Sequence, residues 1–138
     1  MNNHLKLLML DLLPTLALAG CGGGTDCSIL SMNISPQTTA ADHNAPPPGN
    51  AQAFKARGSV AEGCASEAGA KVQVDGLTNV VWSVSDTTNV SISNSHDGTF
   101  GVATCLGATS GAVNVAANLP ADFNSGRALA ASGKLTCN

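Results

Sequence analysis

This sequence is poor in charged and aromatic residues, and each shortage excludes a class of protein. Charged residues occupy 11% of the 138 positions, and only six residues are Lys or Arg. Six scattered cations cannot build the basic stripe that binds nucleic acid phosphates, so we expect no nucleic-acid partner. Aromatic residues amount to 3%, but hydrophobic residues reach 43%, which is typical of a packed domain rather than a disordered chain.

The residue patterns of metal sites are missing as well. The four cysteines after residue 26 lie 37, 41 and 32 residues apart, without the close Cys pair of structural zinc sites. Calcium requires clustered oxygen ligands, whereas the candidate carboxylates are dispersed along the chain. They are Asp75, Asp86, Asp97 and Asp122. The sequence therefore predicts neither a metal nor a cofactor.

Catalytic patterns are equally weak. Ser110 lacks the leading glycine of a nucleophile elbow, and no histidine follows it in the chain. His96 and Asp97 belong to a turn that ends in Asp-Gly, a pair that serves backbone geometry. Glu62 and Glu67 could in principle flank a sugar, but carboxylates in loops are usually solubilising. We therefore expect a protein that is not an enzyme.

An export signal is what the chain does carry. Leu18-Ala19-Gly20-Cys21 is a complete bacterial lipobox, because small residues let a signal peptidase reach the backbone and the thiol is free to take a lipid. Residues 1–20 are then a lipoprotein signal peptide, although Asp11 interrupts its apolar stretch. No other segment approaches the roughly 20 apolar residues of a membrane span, so acyl chains on Cys21 would attach the protein to the membrane.

Cleavage before Cys21 would determine both the localisation of the protein and its domain boundaries. Residues 21–26 form the lipidated cysteine and a Gly-rich tether, and residues 27–138 form one domain. The tether after the cysteine reaches at most about 17 Å, which keeps the domain close to the bilayer. We expect a lipid-anchored protein of the bacterial cell envelope. Gly22 after the cysteine, rather than Asp, is consistent with the outer membrane, and the periplasmic and surface faces both stay open.

Beyond residue 26, hydrophobic side chains alternate with polar ones in short runs separated by turn residues, a pattern typical of β-strands. The seven runs contain Met32, Ala56, Trp82, Val90, Val102, Val115 and Leu135, respectively. No run has helical periodicity. The pattern predicts an all-β chain, an antiparallel β-sandwich of immunoglobulin type with about seven strands. The proline-rich segment 46–50 is expected to be an extended loop.

Four segments then stand in an order that resembles a known family. They are Ile34-Ser35-Pro36, Val81-Trp82-Ser83-Val84-Ser85-Asp86, Asp97-Gly98-Thr99-Phe100-Gly101-Val102-Ala103 and Gly111-Ala112-Val113-Asn114-Val115-Ala116-Ala117. Together they resemble the group 2 bacterial immunoglobulin-like domains of intimin-like and other surface proteins, over roughly residues 28–137. The resemblance implies a sandwich fold with a role in adhesion, scaffolding or interaction. The insertion 61–79 and the four cysteines depart from the family's pattern.

The cysteines are expected to form two disulfide bonds. Once Cys21 is lipidated, four thiols remain, and they permit three pairings. If the strands run alternately up and down the sandwich, Cys27 and Cys64 lie at one end and Cys105 and Cys137 at the other. This topology predicts the bonds Cys27–Cys64 and Cys105–Cys137. Each closes a loop of more than 30 residues, and in the chain-entropy model each contributes on the order of 3–4 kcal/mol of stability.

Two loops at the Cys27 end are the candidate binding surfaces, since loops gathered at one end of a sandwich commonly serve recognition. The insertion 61–79 carries Glu62 and Glu67, and the connection 118–127 carries Phe123 and Arg127. Phe123 either takes part in binding or packs back over the core.

These observations favour a non-catalytic envelope lipoprotein whose domain serves adhesion, scaffolding or protein interaction near the membrane. Its partners would be the membrane, through the acyl chains on Cys21, and envelope proteins or glycans. The alternative is a small-ligand or carbohydrate-binding module that uses the two loops.

Replacing Cys21 with Ala should abolish acylation and release the protein from the membranes of its own host, because acyl chains are the predicted attachment. Intact mass spectrometry of the wild-type protein should show loss of residues 1–20, an acyl-sized gain and four added hydrogens on reduction. A full-length, unacylated wild-type mass with free thiols would contradict the lipobox assignment.

Overall fold

A computed structural model describes residues 27–60 and 73–138. The signal peptide, Cys21, Cys64 and the two candidate glutamates, Glu62 and Glu67, lie outside the described residues. Within them the fold is all-β, as predicted, with ten strands and one 3₁₀ turn, Ala121–Phe123. The strands are β1 (Ile29–Ser35), β2 (Thr38–Ala41), β3 (Ala51–Ala53), β4 (Lys55–Val60), β5 (Gln73–Asp75), β6 (Val81–Val84), β7 (Val90–Ile92), β8 (Val102–Cys105), β9 (Val113–Leu119) and β10 (Leu129–Cys137).

The strands of the described residues form three sheets, ordered β1-β4-β5, β2-β10-β9-β6 and β3-β8-β7. Every strand pair is antiparallel except β2–β10, which is parallel. Two short breaks between consecutive strands let one stretch of chain contribute strands to two sheets. Phe54 separates β3 from β4, and Pro36 and Gln37 separate β1 from β2. The sheets are thereby tied to one another by continuous backbone.

The predicted inward and outward faces are confirmed on the two central segments. In β4, Ala56 and Val60 are buried and Lys55 is exposed. In β6, Trp82 is buried and the preceding Val81 is 52% exposed. Because successive side chains of a strand point to opposite faces, this alternation places one row of each strand in the core.

Three details differ from the sequence-based expectation. Leu30 alternates with Ser31 in the same hydrophobic run as Met32 and Ile34, which predicts an inward side chain. It is instead 43% exposed, because the β1–β4 register shifts between Ile29 and Ser31 and turns Leu30 outward. The expected insertion 61–79 contains β5, which pairs with β4. Such breaks and additions explain why ten strands are found where about seven were expected.

The proline-rich segment is a pair of turns rather than an extended loop. The Gly49 N–H donates to the Pro46 carbonyl at 2.8 Å, and the Ala51 N–H donates to the Pro48 carbonyl at 3.0 Å. Each is the i to i+3 hydrogen bond of a β-turn. The segment therefore reverses the chain compactly and delivers it to β3.

The bond between Cys105 and Cys137 is present, with 5.7 Å between the two Cα atoms. Both cysteines are buried at the last residues of β8 and β10, which belong to different sheets. The bond therefore joins two sheets across the core, as the strand topology predicts. Cys27 is also disulfide-bonded, and its predicted partner Cys64 lies outside the described residues.

The core is built from small and medium side chains around Trp82 and Phe54. The Trp82 and Phe100 rings meet edge to face, with 6.2 Å between their centroids. Gly101 lets its backbone approach Phe54 and Trp82 closely. A Cβ atom there would lie 2.5 Å from the Phe54 carbonyl oxygen and 3.1 Å from two indole carbons, and the φ of Gly101 is +75°.

Replacing Gly101 with Ala should therefore destabilise the domain far more than the same change at Gly98. Gly98 also has a positive φ, +93°, but nothing lies within 4 Å of its missing Cβ. Gly98→Ala should cost roughly 1–2 kcal/mol from backbone strain alone. Gly101→Ala should cost about 2 kcal/mol more from the added clash. Urea unfolding of both variants measures the difference, and equal losses would refute the packing argument.

Candidate interaction site

The side chain of Asn124 fastens the connection between β9 and β10 to the beginning of β1. Asn124 is 3% exposed, and its Oδ1 accepts a hydrogen bond from the Ile29 N–H at 2.6 Å. Its Nδ2 donates to the carbonyl oxygens of Ile29, at 3.0 Å, and Arg127, at 2.9 Å. A buried amide with all these partners fixes a loop firmly, since breaking any one of them would leave a buried polar group unpaired.

This fastening defines one end of the domain, here called the Asn124 end, where Ile29, Val60 and Asn124 lie. Ile29 pairs with Val60, the last residue of β4, so the chain leaves β4 at the same end. Cys105 and Cys137 lie at the other end. β10 is nine residues long and extends from Leu129, near Asn124, to Cys137. The connection 118–127 and Val60, where the chain leaves β4, thus share one end of the fold.

Phe123 is presented to solvent at the Asn124 end. It closes the 3₁₀ turn that immediately precedes Asn124, and it is 61% exposed. Of the two possibilities open from the sequence, packing over the core is therefore wrong. Leu119, in contrast, ends β9 and is 2% exposed, so it belongs to the core rather than to the loop.

Arg127 and the residues before it close a tight turn. The Arg127 N–H donates to the Asn124 carbonyl, and the Gly126 N–H donates to the Ala121 carbonyl, both at 2.9 Å. Ser125 and Gly126 take positive φ values, +50° and +82°, which this turn requires. Arg127 itself is exposed and lies four residues after Phe123 in the sequence. Two of the four candidate loop residues are thus on a hydrogen-bonded turn, and Glu62 and Glu67 lie outside the described residues.

Exposed hydrophobic residues are unevenly distributed between the two ends. Leu30 follows Ile29, and Val81 pairs with Asn118 beside the end of β9, so both lie with Phe123 at the Asn124 end. Among the described residues, Leu106, 60% exposed, is the large hydrophobic residue at the opposite end, directly after Cys105. Val74, the remaining exposed large hydrophobic residue of the described part of the chain, lies on β5. The Asn124 end is therefore the more apolar one.

The aspartates that the sequence offered as ligands are engaged in their own loops. The Asn89 side chain and backbone N–H, with the Thr88 N–H, hydrogen-bond to Asp86 and hold its pKa below the ordinary value. The hydroxyl and the N–H of Thr99 do the same for the pKa of Asp97. Both carboxylates are ionised at neutral pH and stabilise turns.

Asp75 and the histidines His43 and His96 also have structural partners. The Asp75 Oδ1 atom lies 3.0 Å from Arg57 Nε across the β4–β5 pair, so the two side chains form a salt bridge. The His96 ring stacks on Phe100, with 4.5 Å between centroids, and His43 Nδ1 hydrogen-bonds to the Asn138 carbonyl oxygen. Within residues 27–60 and 73–138, no three His, Cys, Asp or Glu side chains come together as a metal site would require.

No protein-family model and no curated protein matches this chain. In the part of the chain that the structure describes, no helix has the length and apolar character needed to cross a membrane.

Asn124, which determines the geometry of this site, could not be recognised from the sequence. Its bonds to Ile29 join residues 95 positions apart, so no local pattern could reveal them. An Asn close to Ser-Gly in a loop reads as an ordinary turn residue. Only the tertiary structure shows that this amide is buried and bonds both to β1 and to the turn that contains Arg127.

Asn124→Ala should lower the free energy of unfolding by about 2–3 kcal/mol, because the Ile29 and Arg127 backbone groups lose buried partners. The Ile29 amide should also exchange faster with solvent. Asn118→Ala, at an exposed position of β9, is the matched control and should change stability by less than about 0.5 kcal/mol. Equal stability of the Asn124 variant and the wild type in urea would show that the fastening is dispensable.

Proposed function

We propose that this chain is a lipid-anchored, immunoglobulin-like module of a bacterial envelope that binds another protein at the membrane surface through its Asn124 end. The observation that carries the proposal is the bond between Asn124 and Ile29. It places the exposed Phe123 at the point where the chain arrives from the predicted lipid anchor.

The strand order supports an immunoglobulin-like fold. Immunoglobulin domains arrange their seven strands as A-B-E-D in one sheet and C-F-G in the other. If β3 and β4 are taken together as strand B, the ladders β1-β4 and β3-β8-β7 follow the first order, and β6-β9-β10 follows the second. A buried Trp on strand C is a further hallmark, and Trp82 on β6 matches it. β5 is an addition to this plan.

The length of the connection supports action close to the membrane. Ile29 is the eighth residue after Cys21, and a fully extended chain of that length spans at most about 28 Å. Since β1 begins with Ile29 at the Asn124 end, an anchored domain turns this end towards the lipid. Partners of Phe123 must then be membrane components or proteins held close to the same membrane, which disfavours adhesion over long distances.

The form of the surface supports a protein partner. Hot spots of protein interfaces are typically aromatic or Arg side chains held in place before binding. Phe123 and Arg127 are exposed, and the hydrogen bonds of Asn124 order the turn between them. Leu30 and Val81 add apolar area at the same end. Carbohydrate binding by this end is the alternative, in which the Phe123 ring would stack on a sugar.

A photo-crosslinking side chain at position 123 tests the proposal in the full chain in its own host. Phe123 is replaced by benzoylphenylalanine, and Leu106, of matching exposure at the other end, receives the same replacement as the control. We expect one discrete protein adduct from position 123 and none of that mass from position 106.

The yield of this adduct should also fall when purified wild-type protein is added as a competitor, because a specific site saturates. Labelling of lipid or glycan alone at position 123, or the same adducts from both positions, would refute binding of a protein partner at this end.

A further inference from the structure

The backbone of Val84 on β6 faces away from the partner strand β9. The Ser85 N–H donates to the Asn114 carbonyl at 3.0 Å, in the same register as the β6–β9 ladder. Residues of an antiparallel ladder alternate between those that hydrogen-bond to the partner strand and those whose N–H and carbonyl groups point away from it. Since Ser85 bonds to β9, the N–H and carbonyl groups of Val84 and Trp82 point to the opposite side, which is an edge of the sheet.

The backbone of Ile92 on β7 is arranged in the same way. The Ser93 N–H donates to the Val102 carbonyl at 3.0 Å, in the register of the β7–β8 ladder. By the same alternation, Ile92 and Val90 turn their N–H and carbonyl groups away from β8. β7, like β6, is the last strand of its sheet. Both strands therefore present an edge to their surroundings.

Two sets of hydrogen bonds join these edges to each other. At one end the Trp82 N–H donates to Asn94 Oδ1 at 2.7 Å, and Asn94 Nδ2 donates to the Trp82 carbonyl at 3.0 Å. At the other end the Val90 N–H donates to the Asp86 carbonyl at 3.1 Å. The edges of β6 and β7 thus face each other, and the space between them is bridged at both ends.

Val84 and Ile92 lie midway between the two bridges. Along its own strand, each is two residues from both bridges, so the two residues stand opposite each other. Within residues 27–60 and 73–138, β6 and β7 form no ladder, and no hydrogen bond joins Val84 to Ile92. Two N–H donors and two carbonyl acceptors thus remain unpaired between the facing edges.

A cleft of about 380 Å³ opens between the two strands. Residues 82–84 of β6 and 90–92 of β7 line it. Because successive side chains point to opposite faces of a strand, three consecutive residues share only their backbone edge. The cleft therefore runs along the two facing edges, where Val84 and Ile92 hold their unpaired groups.

The Asn94 amide shows which chemical group fits such an edge. It places a carbonyl acceptor and an N–H donor side by side, and it bonds to both backbone groups of Trp82. Val84, two residues along the same edge, presents the same pair of groups without a partner. A primary carboxamide or a lactam also has its acceptor and donor side by side, so it can repeat this arrangement at Val84.

The cleft also restricts the size and charge of a ligand. None of the described residues that line it is charged, so the lining offers no ionic partner. Its volume lies at the lower end of the roughly 300–1,000 Å³ of small-molecule pockets. An extended peptide running between the strands would have to displace the bridge at Asn94 or the bridge at Val90. These features favour a small uncharged ligand.

We propose that the cleft between β6 and β7 binds a small uncharged molecule with a primary carboxamide or lactam group, which bonds to the N–H and carbonyl of Val84 as Asn94 does to those of Trp82. Ile92 faces the same space and offers a second donor and acceptor to the other side of the ligand. This site is separate from the Asn124 end, and the proposal does not depend on the protein interaction proposed there.

Backbone amide resonances of the ¹⁵N-labelled full chain, carrying Cys21→Ala to prevent acylation, test the site. δ-Valerolactam is the probe, and N-methyl-δ-valerolactam, which keeps the ring and the carbonyl but has no N–H donor, is its control. We expect a saturable downfield shift of the Val84 amide proton with δ-valerolactam. The control should bind about tenfold or more weakly, because it leaves the Val84 carbonyl without a donor.

Two exposed threonines provide matched variants that leave both strands in place. Thr87 lines the cleft, and Thr78 does not. Thr87→Arg should obstruct the cleft and weaken δ-valerolactam binding about tenfold or more, whereas Thr78→Arg should leave it unchanged. No saturable shift at Val84, equal binding of both lactams, or weaker binding only in Thr78→Arg would overturn the proposal.

Discussion

The hydrogen bonds of one buried amide, Asn124, hold the connection between β9 and β10 against the beginning of β1. They join the connection after β9 to the first strand, and so bring together two parts of the chain that are 95 residues apart. Without them, the position of Phe123 relative to the beginning of β1 would be set only by a turn at the surface. With them, the exposed aromatic residue and the route to the predicted anchor share one end of the fold. The proposed function rests on that constraint.

The rest of the fold compensates for a shortage of large side chains. The core contains few aromatic residues, and it gains order from close approach and covalent linkage instead. Gly101 lets the backbone of the β8 segment meet Phe54 and Trp82, and the Cys105–Cys137 bond joins two sheets at the end away from Asn124. In a small domain such linkage replaces part of the stability that a larger hydrophobic core would provide.

The sequence predicts those features that depend on local pattern. Alternation identified the buried face of β4 and the burial of Trp82, and the positions of strand ends predicted the Cys105–Cys137 bond. Local pattern did not predict the features that depend on contacts between distant parts of the chain. The shift that exposes Leu30 depends on the register against β4, and the role of Asn124 depends on a partner far along the chain. The exposure of Phe123 follows from that fastening, so a sequence pattern could not decide it.

The orientation of the anchored domain is the claim that a single measurement tests most directly. Nitroxide labels are attached, through a ketone-bearing residue, at position 123 or at position 106 of the acylated protein in nanodiscs with gadolinium chelates on the lipid headgroups. Paramagnetic relaxation should be clearly faster at position 123, because the proposed orientation turns the Asn124 end towards the lipid and Leu106 lies at the opposite end. Equal relaxation at both positions, or faster relaxation at 106, would contradict the account.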